Sequence, residues 1–332
     1  QVSTIVGLVL IPFFSLFGSV GNVLSLRVLS QMRMRLRNVI NLVLAALAVS
    51  DLLFLLHALF FSFLKLYMLR DPVAGGDLRA LTFPFLGAYS SVVTARITTG
   101  LTILLSLERL VAVYFPIRAR AMCSRSSTLA AIIGIYTVTG LMFLPYMLKY
   151  RAERRATLNN ETVYFVARTS LGKDPRFFPV YGTVLNTLFR FVPLALLTLV
   201  NALIAAAIRR TWRLRQTISS TSGSYRQRRI TLMLLAVSLV SLVCILPGAI
   251  HSIMAQAWAP DYSPRGAQSN LFVIMSTLSY WLETINSSVN FIIYMAFCSK
   301  FKTTYHKMFC CGKSETGGSH GSAHSVVHFS NR

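Results

Sequence analysis

Apolar residues run along this chain in long, nearly unbroken stretches, separated by short connectors rich in Lys and Arg. Length decides which element such a stretch builds, because a helix crossing a bilayer needs about 20 apolar residues. Seven stretches qualify, at about residues 4–29, 39–66, 81–114, 127–148, 180–208, 230–258 and 268–297. They are too long and too uniformly apolar for lipid-facing barrel strands, and a helix satisfies all its backbone groups within one segment. The pattern therefore predicts an all-α membrane protein, a bundle of seven transmembrane helices.

Composition agrees with this reading. Of 332 residues, 54% are hydrophobic and 13% charged, and the mean hydropathy is +0.59. A soluble core of this length is not so apolar. The chain starts at Gln1 almost directly in an apolar run, so a trimmed N-terminal segment is expected, and residues 4–29 lack the basic flank and cleavage site of a signal peptide.

The net charge of +23 would suggest nucleic acid in a soluble protein. Here the basic residues crowd into connectors instead, and no aromatic-interleaved basic module lies outside the spans, so nucleic-acid binding is excluded. One side of the bundle holds Arg27, Arg33, Arg35 and Arg37, then Arg118, Arg120 and Arg125, the run 209–229, and Lys300, Lys302, Lys307 and Lys313. The opposite side holds fewer, most of them in the loop 149–179. The richer side marks the cytoplasm, which puts the N-terminus outside and the C-terminus inside. The basic runs at 118–125 and 209–229 read either as a docking surface or as solvated membrane-proximal charge.

Residues 1–298 thus form the bundle. Residues 299–311 read as a short amphipathic helix on the inner membrane surface, with Phe301, Tyr305, Met308 and Phe309 on one face and lysines beside them. Residues 312–332 are Gly-, Ser- and His-rich and read as a disordered cytoplasmic tail. Cys310 and Cys311 end the amphipathic helix at lipid height, either as S-palmitoylation sites or as reduced thiols. Neither they nor Cys123, Cys244 and Cys298 fall in an outer loop, so no structural disulfide is expected. Asn160 opens an Asn-Glu-Thr glycosylation sequon in an outer loop.

Charges inside the spans carry the chemistry, because each is costly in lipid unless paired or functional. Asp51 lies in the middle of the second span, where Thr98, Asn286, Ser287 and Asn290 offer oxygen and amide partners. Arg96, Arg190 and Glu283 face the outer half. Arg96 and Glu283 have no counter-ion on their own helices and are expected to pair across the bundle, as ligand contacts or as a structural pair. His251, His57, Tyr89, Tyr280 and Trp281 lie at comparable height, as pocket residues or as packing. Glu108 and Arg109 end the third span; such a pair can close and open with the mouth of a bundle, or simply seal a helix end.

Several motifs, in order, resemble rhodopsin-like (class A) G-protein-coupled receptors over nearly the whole chain. Gly21-Asn22-Val23 lies in the first span and Leu47-Ala48-Val49-Ser50-Asp51 in the second. Glu108-Arg109-Leu110 stands where the family has Asp-Arg-Tyr, with Pro116 beyond it. Pro145, Pro193 and Pro247 occupy the next three spans. Asn286-Ser-Ser-Val-Asn290-Phe-Ile-Ile-Tyr294 resembles the Asn-Pro-x-x-Tyr region. With Phe in place of that Pro, the last motif is similar to invertebrate neuropeptide receptors of the FMRFamide and myoinhibitory-peptide groups.

The resemblance implies a plasma-membrane receptor, not an enzyme, for a neuropeptide bound in the outer half. It implies a heterotrimeric G protein, and arrestin, at the cytoplasmic mouth. Arg109 would pair with Glu108 at rest and meet the G protein when active, with Tyr294 swinging inward, and Pro247 and Asn290 belong to the same switch. No cofactor is required, though Asp51, Thr98, Asn286, Ser287 and Asn290 would hold a sodium ion as allosteric modulator, or water alone. The departures matter. Pro84 stands where the family's outer disulfide would begin, and the loop 149–179 offers no second cysteine. Ile245 replaces a tryptophan, Asn201 a tyrosine, and Tyr136 the fourth-span tryptophan.

Other classes fit less well. A retinal protein needs a lysine in the last span, which has none. A transporter would show paired repeats or broken helices, and an enzyme would show a metal-spaced, nucleophile or phosphate-binding motif. An orphan or chemosensory receptor for a small molecule stays open beside the neuropeptide reading.

Overall fold

A computed structural model describes residues 2–35, 39–156, 162–215 and 222–309. Asn160, Cys310 and Cys311 lie outside them, as does the tail from 312. Among the described residues, six helices are long and apolar enough to cross a membrane: Ser3–Met32, Val39–Arg70, Pro72–Tyr114, Arg125–Lys149, Phe177–Arg210 and Arg229–Ala257. The expected seventh span is two pieces instead, Ser269–Ser288 and Asn290–Phe297, joined at Val289. Its inner end explains the break. Ser288 turns its hydroxyl back onto the Thr284 carbonyl and also onto Phe14 of the first span, and such back-bonding bends helices.

The bundle buries its polar residues within an apolar core and turns large apolar residues outward, the arrangement a bilayer selects. Ser15, Asn22, Ser50, Asp51, Thr98, Thr284 and Ser287 are buried, whereas Phe13, Phe63, Leu141 and Val243 are exposed where lipid would lie. Small residues let backbones close up. A Cβ placed on Gly18 would stand 2.4 Å from Ser288 Oγ, so the first span packs directly against the seventh at its bend. Asn22 fastens the same contact, donating from Nδ2 to the carbonyls of Gly18 and Ser287 at 2.9 Å each.

Two local irregularities shape the outer half. The fifth span widens into a π-helical turn at Thr187–Phe191, just before Pro193. Proline has no N–H for the carbonyl four residues back, and a widened turn absorbs that loss. The third span carries a similar turn at Phe83–Ser90, with Pro84 in its first turn.

Above the bundle, β1 (Tyr150–Ala156) and β2 (Thr162–Arg168) pair antiparallel, Tyr150 opposite Arg168. Asp77 pins this hairpin by accepting a 2.5 Å bond from the Tyr164 backbone N–H, and Phe83 meets Tyr150 edge-on. These contacts hold the loop where no cysteine is available. At the other end the helix Ser299–Phe309 lies against the first span, with Phe301 buried under Tyr294 and Phe291.

Candidate functional site

The polar residues gather at three levels. In the middle, Asp51 is fully buried. Its Oδ1 accepts from Thr98 Oγ1 at 2.9 Å and its Oδ2 from Asn290 Nδ2 at 2.7 Å, while Ser287 also acts on the carboxylate. Thr98 Oγ1 also lies 3.1 Å from Ser50 Oγ, which donates its own hydrogen bond to the Thr94 carbonyl. The second, third and seventh spans thus meet on one carboxylate. Asn286 does not join them: its Oδ1 accepts from Ser241 of the sixth span at 2.8 Å. One position separates Asn286 from Ser287, and that turns a helical side chain by about 100° toward a different neighbour.

At the inner end, Glu108 and Arg109 do not form the expected pair. Among the described residues no ion pair joins them. Glu108 Oε1 accepts from Thr128 Oγ1 of the fourth span at 2.7 Å, and Arg109 Nε is buried without a partner. Consecutive residues on a helix point in different directions, so adjacency in sequence is not contact in space. Tyr294, 1% exposed, keeps an unpartnered hydroxyl in the same end of the bundle. Pro247 lies inside the sixth-span helix Ser222–Ala257. There its ring removes one backbone bond. Beside Glu108 and Arg109, Cys123 closes the short helix Pro116–Met122, and burial together with the Glu108 carboxylate raises its thiol pKa.

At the outer level a cavity of about 310 Å³ opens between the spans, lined by Arg96, Arg190, Glu283, Phe54, Tyr146 and Tyr280 among others. The cross-bundle pair is formed: Arg96 Nη2 reaches Glu283 Oε1 at 2.5 Å. Arg190 converges on the same oxygen at 3.4 Å and also donates to the Gly248 carbonyl and to Ser252 Oγ. It sits in the widened turn before Pro193. Tyr280 packs on Phe54 at the cavity wall.

The histidines are held elsewhere. His251 Nδ1 meets the Tyr262 hydroxyl at 2.7 Å beside the Phe272 ring. His57 donates from Nδ1 to the Leu53 carbonyl, which leaves Nε2 to accept from Ser90. Tyr89 bonds the Gly140 carbonyl and Trp281 packs against Phe14. Sequence reasoning did not single out Thr128, Tyr146, Asn186 or Phe189. Each faces inward only through the packing of its own helix, and no local pattern marks it.

The comparisons with known proteins bear on the same frame. The family described as 7 transmembrane receptor (rhodopsin family) matches residues 21–294. A probable G-protein-coupled receptor of Caenorhabditis elegans is 28% identical, the match covering 92% of this chain and 69% of that protein. The rat galanin receptor type 2 is 29% identical, over 92% of this chain and 76% of its own. The Drosophila melanogaster FMRFamide receptor is 26% identical, over 91% of this chain and 53% of its own.

Proposed function

The chain belongs to the rhodopsin family of seven-transmembrane receptors, and we propose that it is a plasma-membrane receptor for a peptide that activates a heterotrimeric G protein. The peptide end would enter the outer cavity, whose volume of about 310 Å³ falls at the small end of ligand pockets. The galanin and FMRFamide receptors among its relatives are named for peptides, which favours that ligand class. The G protein would dock at the opposite mouth, against Arg109 and the basic connectors around Arg118 and Arg209.

The observation that carries this reading is the state of Arg109. Arg109 is 8% exposed at the inner mouth, yet its Nε has no acceptor and Glu108 is held by Thr128. A buried guanidinium nitrogen without an acceptor is costly, and a partner's backbone carbonyls or C-terminal helix end would supply one. Because no ion pair has to be broken to release Arg109, some nucleotide exchange would proceed without ligand, and ligand would raise it.

Asp51 would couple the two ends. A shift of the seventh span at its Val289 break must pull Asn290 away from Asp51 or carry the second span along. The donor set around Asp51 fits a hard monovalent cation. It combines one carboxylate with the Thr98 and Ser287 hydroxyls, near an Asn22 Oδ1 that is buried without a partner. Such an ion would compensate the Asp51 charge when bound. The test is guanine-nucleotide exchange on membranes carrying the intact chain and purified G protein. Exchange no greater than on chain-free membranes, with or without a peptide panel, would end the coupling claim.

A further inference from the structure

The outer cavity holds two guanidiniums and one carboxylate. Glu283 Oε1 receives both Arg96 and Arg190, and no other acidic side chain lines the cavity. Arg190 fills its remaining contacts with neutral acceptors, the Gly248 carbonyl and Ser252 Oγ. Arg96 is 94% buried and its Nη1 has no acceptor at all. One positive charge is thus left uncompensated in a low-dielectric setting, where Coulomb interactions are several times stronger than in water.

The approach to the cavity has the same sign. The two strands of the hairpin above it carry Arg151, Arg154, Arg155 and Arg168 against Glu153. Glu153 is already engaged with Arg151 at the surface. A basic rim over a net-positive pocket concentrates anions and speeds their arrival.

We propose that the ligand group seated at Arg96 and Arg190 is a carboxylate, so that the receptor selects acids over amides. A guanidinium presents two parallel N–H donors that match the two oxygens of a carboxylate, which a primary amide offers only in part. The inference rests on the outer cavity being the ligand site of the proposed receptor. The carboxylate can come from a peptide's free end or acidic side chain, or from a small organic acid.

The experiment uses the full chain in lipid nanodiscs and follows thermal unfolding against matched probes. The small arm is glutarate against its diamide, and the peptide arm is an N-acetylated dipeptide as free acid against the same dipeptide as primary amide. The acid of at least one arm is expected to bind about tenfold or more tighter than its amide, the scale of one hydrogen bond to a charged group. The responding arm identifies the source. Glu283→Gln is expected to tighten acid binding, because it frees both guanidiniums, and Arg96→Gln to weaken it. The Glu283 variant keeps the test decisive should the Arg96 variant fail to fold.

Equal binding of acid and amide, silence of both acids, or weaker acid binding by Glu283→Gln would overturn the proposal. Nucleotide exchange on the G protein separates the two claims. Amides that drive exchange would sink the carboxylate inference and keep the receptor reading. Acid-selective binding with no exchange under any condition would do the reverse.

Discussion

Thr128 holds Glu108 through a 2.7 Å hydrogen bond from the fourth span to the third. The acid at the inner mouth is therefore committed to a neutral partner on another helix. The arginine beside it is left to find an acceptor elsewhere. Glu108 thus anchors the third span to the fourth, and no ion pair ties it to Arg109.

That division of labour is testable by substitution. Glu108→Gln keeps an oxygen for Thr128 and is expected to leave ligand-free nucleotide exchange unchanged. A severalfold rise would mean that the carboxylate had been restraining Arg109 after all. Thr128→Val removes the donor from a buried carboxylate and is expected to cost about 1.5–3 kcal/mol of stability, read as a fall in the unfolding midpoint.

Asn290→Leu is expected to cost a similar amount, about 1.5–3 kcal/mol, because it takes one of the donors from a fully buried carboxylate. The exchange of partners is a sharper probe. Asp51→Asn alone sets an amide against the Asn290 amide, whereas Asp51→Asn with Asn290→Asp restores one carboxylate and one amide across the same gap. Thermal unfolding should show the double variant more stable than the sum of the single changes predicts, and simple additivity would argue against a direct contact.

Much of this arrangement is legible in the sequence, and the failures share one cause. The spans follow from apolar length, and the Arg96–Glu283 pair from the lack of any counter-ion on either helix. Helix rotation and the choice of partner across the bundle are harder to read. Glu108 and Arg109 are neighbours in the chain and so leave the helix in different directions. Asn286 and Ser287 differ by one position and turn to different spans. Arg190 reaches the same carboxylate from the widened turn before Pro193, which a regular helical repeat does not anticipate. The break at Val289 has no proline to announce it; serine side chains bonded to backbone carbonyls produce it.

The outer hairpin should withstand reductant. Its fastening is the Asp77 carboxylate on the Tyr164 N–H, and the loop 149–179 contains no cysteine. Mild reductant is expected to leave the unfolding midpoint unchanged. Asp77→Ala should accelerate hydrogen exchange at the Tyr164 amide, and full protection of that amide in the variant would show that the bond does not hold the hairpin.

Asp174 gives the outer end of the fifth span a pH dependence. Its carboxyl lies below the ordinary range because it accepts from the backbone N–H groups of Arg176 and Phe177. A carboxyl whose pKa is depressed by folding stabilises above its unfolded value, and that contribution fades as pH falls through the folded value. Protection of the Phe177 amide from hydrogen exchange should therefore drop on acidification below the carboxylate range. In Asp174→Asn, which caps without titrating, it should not.

The central claim is that Arg109, with no ion pair to hold it, lets this receptor act on a G protein, and one measurement addresses it without knowledge of the ligand. Nucleotide exchange is compared on membranes carrying the intact chain, the Arg109→Ala variant at equal surface expression, and no receptor. The account predicts exchange above background for the intact chain and background exchange for the variant. Equal exchange by the intact chain and the variant would contradict it.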